Sequence, residues 1–314
     1  MTEYINKSIL VTGGAGFIGS HIVDSYLAAG NQVIVVDNLS TGKRENIPGK
    51  VKFYQMDLKD KMIERIFSEN SIDVINHHAA QMDVRRSVND PIFDANVNVV
   101  GFLNLIEHAK KHGLKKIIFS STGGAIYGEQ INFPADETHP IQPLSPYGIT
   151  KLATEKYLNY YKEVHGIDFV ILRYANVFGP RQNPHGEAGV VAIFVEKFLK
   201  KEQPIINGTG KQTRDFVFVG DVVDANLKAL NYSSSEIFNI GTGIETDILS
   251  IFNNLKLITK SNVSENFHPA KMGEQMRSVI SNSKAEKLLG WKPKCSIQEG
   301  LELTVEYFKN IIFK

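Results

Sequence analysis

A chain of 314 residues can bury one large core or two smaller ones. Its 35 Lys and Arg against 34 Asp and Glu leave a net charge of +1, with no basic surplus for holding nucleic acid or an acidic polymer. A lone cysteine, Cys295, excludes an internal disulfide and a thiolate metal cluster and suits a reducing compartment. The stretch MTEYINKSILVTGG enters a strand-like run almost at once, and no apolar run reaches membrane-spanning length. Neither a signal peptide nor a membrane anchor is expected, and the cytoplasm is the expected location.

Residues 8–37 carry the strongest local signal. Ile9, Leu10 and Val11 predict a strand, and Gly13, Gly16 and Gly19 follow it as G-x-x-G-x-x-G. Ile22, Val23, Tyr26 and Leu27 then share one face of a helix predicted over 17–29. Val33 to Val36 predict a second strand that ends at Asp37. Glycines at that spacing let the backbone turn tightly and approach a pyrophosphate, whose charge meets the positive end of the helix. Asp37, eighteen residues past Gly19, can accept hydrogen bonds from ribose hydroxyls and repel a 2′-phosphate. Strand, loop, helix, strand and acid together point to a dinucleotide.

Further strands are predicted near 51–56, 73–77, 116–121 and 168–173, with helices near 61–69, 90–112 and 146–165. The alternation predicts an α/β fold: a Rossmann-type doubly wound parallel sheet over residues 1–175, with ligands beyond the carboxyl ends of its strands. After Arg173 the pattern changes. Residues 176–189 are rich in Gly, Pro and Asn and predict a long loop. A helix at 190–200, short extended pieces at 204–219, and helices near 221–231, 246–258, 283–289 and 297–312 follow. These predict a smaller α/β substrate lobe over 176–314, with later segments returning to the first domain.

Tyr147 and Lys151 form Y-x-x-x-K at the start of the 146–165 helix, a spacing that puts both side chains on one face. Of the eleven tyrosines, only Tyr147 has a lysine four positions on. A phenol titrates near pH ~10, and a neighbouring ammonium together with a cationic nicotinamide would lower it. Bringing it down three units takes roughly 4 kcal/mol, within reach of two cations in a partly dry cleft. The same spacing also suits a solvated helix face. Ser120, Ser121 and Thr122 end a predicted strand, where hydroxyls either form a turn or pass a proton beside a phenolate.

TGGAGFIG, STGGAIYG, YGITK and LRYANVFGP, in that order, resemble the extended short-chain dehydrogenase/reductase family, and within it the UDP-glucose (UDP-galactose) 4-epimerase branch. The resemblance runs from Thr12 to SKAEKLLGWKP at 283–293. It implies that Gly13, Gly16, Phe17, Ile18 and Gly19 hold the pyrophosphate of NAD and Asp37 its ribose. Asn38, Ser40 and Gly42 are implied to line the adenosine, with Asp57 and Leu58 at the adenine. Ala79 and Ala80 would pack under the nicotinamide ribose, with Asn96 on the cofactor side and Tyr174 near the nicotinamide. Thr122, Tyr147 and Lys151 match the catalytic hydroxyl, the base and its electrostatic partner. Asn176, Arg214 and Arg277 match ligands of the nucleotide sugar. Lys271 stands where many relatives have arginine, which keeps the charge without the bidentate fork. Ser278 falls, by counting, where the family borders the substituent on carbon 2, and a serine there would admit an N-acetyl group.

The activity so implied is an NAD-dependent 4-epimerisation of UDP-sugars through a transient 4-keto intermediate, on UDP-glucose and UDP-galactose and, given Ser278, the N-acetylhexosamine pair. A UDP-uronate 4-epimerase is an alternative. A dehydratase would carry an Asp–Glu pair where this chain has Gly123 and Gly124, and decarboxylases of UDP-glucuronate carry an acid near the same turn. A protein that only senses NAD would usually have lost the Tyr/Lys pair. Relatives pair the helices near 90–112 and 146–165, here bearing Phe93, Val97, Ile149, Leu152 and Tyr157, so a homodimer is expected. His77, His78 and Trp291 read as packing residues, and no Cys/His cluster or H-E-x-x-H pattern calls for a metal.

Overall fold

The computed structural model describes residues 7–185, 189–270 and 275–313. Its spine comes from aliphatic runs with too little polar surface to face water on either side. They become β1 (Ser8–Thr12), β2 (Gln32–Asp37), β3 (Lys52–Gln55), β4 (Val74–His77), β5 (Lys116–Thr122) and β6 (Asp168–Tyr174). Between them lie α1 (Phe17–Ala28), α2 (Glu64–Ser68), α3 (Val84–Asn89), α4 (Pro91–Ala95), α5 (Gly101–Lys111) and α6 (Pro146–His165). The helix expected over 90–112 is one irregular run, in which a wide π-type segment, Asn96–Val100, joins α4 to α5. The short α3 before it was not expected; Asp83 starts it by accepting a hydrogen bond from Arg86 N at 2.7 Å. α6 has clear ends. The Ser145 hydroxyl caps Gly148 N at 3.2 Å, Pro146 opens the first turn, and Gly166 at φ +67° closes the last.

The chain continues through β7 (Asn176–Phe178), α7 (Val190–Leu199), β8 (Ile205–Asn207), β9 (Thr213–Phe218), α8 (Val219–Asn231) and β10 (Glu236–Ile240). Then come β11 (Glu245–Asp247), α9 (Ile248–Thr259), β12 (Asn266–His268) and α10 (Ile297–Ile312). The main sheet has seven parallel strands in the order β10-β6-β5-β4-β1-β2-β3. Val11 and Leu172 face one core layer with Val23, Tyr26 and Trp291. Leu10 and Phe119 face the other, with Phe102, Leu105 and Leu158. Period-2 alternation thus fills both faces of the sheet with apolar side chains.

Two smaller sheets, β11-β9-β7 and β12-β8, carry a separate core of Phe178, Phe194, Phe198, Phe252, Leu301 and Phe308. Not all of the second half belongs there. α8 lies on α1, where Tyr26 OH donates to Asn226 O at 3.2 Å. Trp291, fully buried, donates its indole N–H to Asp221 O at 2.8 Å. β10 was not foreseen as a strand and adds itself beside β6, with Glu236 opposite Val170. Five residues with a polar Asn239 inside give little local signal. The pairing depends on an edge laid down 66 positions earlier. β7 likewise forms inside the stretch read as loop, because β9 pairs with it.

β1 has β2 on one side and β4 on the other, so the winding of the sheet reverses there. Ligands of such sheets sit in the crevice outside the strand ends at that reversal.

Candidate active site

The loop after β1 reaches that crevice only because it lacks side chains. Gly13 sits at φ +68°, and a Cβ on it would lie 2.7 Å from Ala79 N at the end of β4. A Cβ on Gly19, in the first turn of α1, would lie 2.2 Å from Gly13 O. The space so cleared opens into a cavity of about 680 Å³, within the range that holds small ligands. Gly13, Gly16, Phe17, Ile18 and Gly19 line one end of it, below the α1 N-terminus. Asp37, Asn38 and Ser40 line it from the end of β2, and Asp57 and Leu58 from the segment after β3. Asp37 accepts hydrogen bonds from Ala15 N at 3.0 Å and Leu39 N at 2.8 Å. Burial pushes its carboxyl up from the ordinary range, and those two N–H groups pull back. Asn38 Nδ2 donates to Asp57 Oδ2 at 3.2 Å, which joins the two walls.

The other end of the cavity is built by β4, β5, α6 and β6. Ala79 and Ala80 form part of its wall, as do Thr122, Tyr147, Lys151 and Tyr174. Gly148 explains how the helix comes so close to the strand end: a Cβ there would lie 2.8 Å from Ala125 O. Tyr147 and Lys151 share the inward face of α6, with Nζ 5.9 Å from the Tyr147 ring centroid and 4.8 Å from that of Phe119. Lys151 is buried and donates to Ser120 O at 2.8 Å. Burial lowers its ammonium to about 8, while the Asp94 and Glu155 carboxylates hold it up. Thr122 Oγ1 accepts from Ala125 N at 3.2 Å. Asn176 and Arg214 continue the wall toward the second lobe, from β7 and β9.

Several expected residues lie elsewhere. Gly42 is not part of the wall; it packs behind it, where a Cβ would lie 2.8 Å from the Ala15 Cβ. Asn96 faces solvent on the helical run, and the next residue, Val97, lines the cavity instead. Arg277 stands outside the cavity, because its guanidinium forks onto Glu245 at 2.7 and 2.9 Å and lies over the Phe133 ring. Ser278 is buried and is not among the residues that line the cavity. Gln275 lines the cavity in this region, with its Nε2 donating to Gly128 O. Lys271 lies outside the described residues.

His77 is packed between Phe102 and Phe119 and bonded to Thr12 Oγ1 at 2.8 Å. His78, read from sequence as packing, is part of the cavity wall. It stacks on Tyr174, and its Nε2 lies 3.0 Å from the tyrosine hydroxyl. Burial lowers His78 to about 3, so the ring is neutral. No motif flagged it; only the sheet order β6-β5-β4 brings it near Tyr174. Gly124 also gains meaning from the structure, since it separates Thr122 from Asn176 and leaves that part of the cavity open.

A model of the NAD dependent epimerase/dehydratase family matches residues 9–241. The UDP-glucose 4-epimerase of Thermotoga maritima, solved with UDP-glucose, is 50% identical with a TM-score of 0.95, covering 97% of this chain and 99% of that one. The UDP-glucose 4-epimerase of Thermus thermophilus, solved with NAD, is 46% identical with a TM-score of 0.93, covering 97% and 100%. The UDP-N-acetylglucosamine 4-epimerase of Methanobrevibacter ruminantium, in complex with UDP-N-acetylmuramic acid, is 34% identical with a TM-score of 0.93, covering 98% and 100%.

Proposed function

The chain belongs to the NAD-dependent epimerase/dehydratase family, a branch of the extended short-chain dehydrogenases/reductases, and we propose that it is a UDP-sugar 4-epimerase acting on UDP-glucose and UDP-galactose. The observation that carries this reading is one cavity lined at one end by the glycine loop and Asp37 and at the other by Thr122, Tyr147 and Lys151.

The residues present fit NAD. The glycine loop is a cradle that a Cβ at Gly13 or Gly19 would fill, and its N–H groups and the α1 N-terminus suit a pyrophosphate. Asp37 would hold the ribose hydroxyls, with Asp57 and Leu58 toward the adenine. Bound NAD would supply a reversible hydride acceptor for carbon 4 of the sugar, so that inversion there would involve no net oxidation. Tyr147 takes the proton of the 4-hydroxyl and gives it back. Lys151 favours the phenolate by its charge, and Thr122 holds the sugar oxygen in line. Asn176 and Arg214 bind the nucleotide diphosphate, whose charge calls for a donor and a cation. A dehydratase is disfavoured because Gly123 and Gly124 stand where such enzymes carry an Asp–Glu pair, and the Ile280 side chain packs where a Cβ on Gly123 would lie.

A homodimer belongs to the same proposal. Ile92 is 74% exposed on α4, which packs against α6, and Ile149, Tyr160 and Val164 are exposed along α6, apolar side chains that a second copy would cover. The cytoplasm is the proposed location, in keeping with one unpaired cysteine among the described residues. The test is an assay of the purified protein against UDP-hexoses, UDP-N-acetylhexosamines and UDP-uronates, with product stereochemistry determined. Interconversion of UDP-glucose and UDP-galactose is expected. Turnover confined to uronates, or loss of water or carbon dioxide from the sugar, would overturn the reading.

A further inference from the structure

Behind the catalytic helix lies a polar cluster that no step above uses. Asp94 of α4 is fully buried, an expensive place for a carboxylate. Its Oδ2 accepts from Thr150 Oγ1 at 2.7 Å, and Thr150 is the neighbour of Lys151 on α6. Its Oδ1 accepts from Gln81 Nε2 at 2.9 Å and from Asn98 Nδ2 at 3.2 Å. Gln81 comes directly after the wall residues Ala79 and Ala80 in the chain, and it is pinned again by Asn98, whose Oδ1 accepts from Gln81 N at 2.8 Å. One carboxylate therefore ties the segment after β4, the helical run over 91–111 and the turn of α6 that bears Tyr147 and Lys151.

Those donors are neutral, so they satisfy the oxygens of Asp94 without cancelling its charge. We propose that Asp94 is a positioning residue of this active site, which locks the segment after Ala79 and Ala80 to α6 and sets a buried carboxylate behind the turn that bears Lys151. The other groups around Lys151 are less able to favour its charge. On α6, Glu155 is already committed to a bidentate pair with Arg173 of β6, at 2.6 and 3.0 Å, and accepts from Ser121 Oγ at 2.6 Å. At the end of β4, His77 and the next residue, His78, are held neutral by burial and by Lys151 itself. On β6, burial pushes the Tyr174 phenol up, so it too carries no charge. Asp94 leads Glu155 as the influence that raises the Lys151 ammonium.

The proposal rests on the reading of Tyr147 and Lys151 as the acting pair. Its test compares pH profiles of kcat for the full chain with NAD bound and UDP-galactose as substrate. Asp94→Asn keeps the shape and removes the charge. It is expected to retain the bound NAD and to shift the alkaline limb of kcat about one pH unit lower, because Lys151 then loses its proton sooner. Thr150→Val removes a tie and keeps the charge. It is expected to lower kcat by up to about tenfold with the limb unmoved, and Thr150→Ser to restore the rate. An Asp94→Asn profile that superimposes on the wild type overturns the charge role, and a fully active Thr150→Val overturns the positioning role. Should Asp94→Asn not fold, the Thr150 pair decides alone. Lys151→Met separates the two levels: wild-type turnover there means that the underlying reading fails, whatever Asp94 does.

Discussion

Lys151→Met should make the protein more stable at neutral pH while abolishing turnover. Lys151 is 4% exposed, and its ammonium is lowered from an ordinary 10.5 to about 8 chiefly by burial. That difference corresponds to roughly 3 kcal/mol for keeping the charge in place at pH 7. Methionine fills similar space without a charge. It forfeits the hydrogen bond to Ser120 O, worth about 1 kcal/mol, which leaves a net gain near 2 kcal/mol. For a chain of this length the unfolding entropy is about 0.7 kcal/mol per kelvin, so the midpoint should rise by ~3 °C. The pH dependence carries the sign. A lysine whose folded value is depressed gives the wild type its full stability only above the unfolded value, and that stability is lost as pH falls through the folded one. The advantage of the variant should therefore be greatest below pH 8 and should shrink and vanish between about 8 and 10.5. Thermal unfolding of both proteins freed of nucleotide, at intervals from pH 7 to pH 10, measures this. A Lys151→Met protein that melts below the wild type at pH 7, or a gap that does not close with rising pH, refutes the reasoning.

Tyr147→Phe should fold and retain NAD while kcat falls by ~10²–10⁴-fold, measured as galactose-to-glucose conversion on the nucleotide. Binding titrations on the nucleotide-free protein should favour NAD over NADP by about 100-fold or more, since a 2′-phosphate would meet the buried Asp37 carboxylate; Asp37→Ser should narrow that ratio. Light scattering at micromolar concentration should report twice the mass of one chain, and Ile149→Glu, at a position 54% exposed on α6, should shift it toward one chain with little effect on the folded core.

Much of this molecule was legible one segment at a time. The glycine spacing after β1, the aliphatic runs of β1 to β6, Asp37 at the end of β2 and the Tyr147–Lys151 interval on α6 are signals within about thirty residues. They depend on turn geometry, on period 2 or on period 3.6, which chain chemistry sets locally. What the sequence could not reveal involves partners far apart. β10 finds its place only because β6 presents an open edge. Arg277 could have met a diphosphate, but it forks onto Glu245, 32 positions away. Ser278 was placed by counting, whereas packing buries it outside the cavity. His78 reads as core in its own strand and becomes wall because Tyr174 lies beside it. Asp94 carries no motif at all, yet it ties Thr150, 56 positions later, to Gln81, the residue after Ala79 and Ala80. Short-range pattern decides which elements form, because it is written in neighbouring side chains. Which buried polar group meets which is decided by the docking of whole elements, since a charge or amide taken from water must bond to whatever the fold brings within reach.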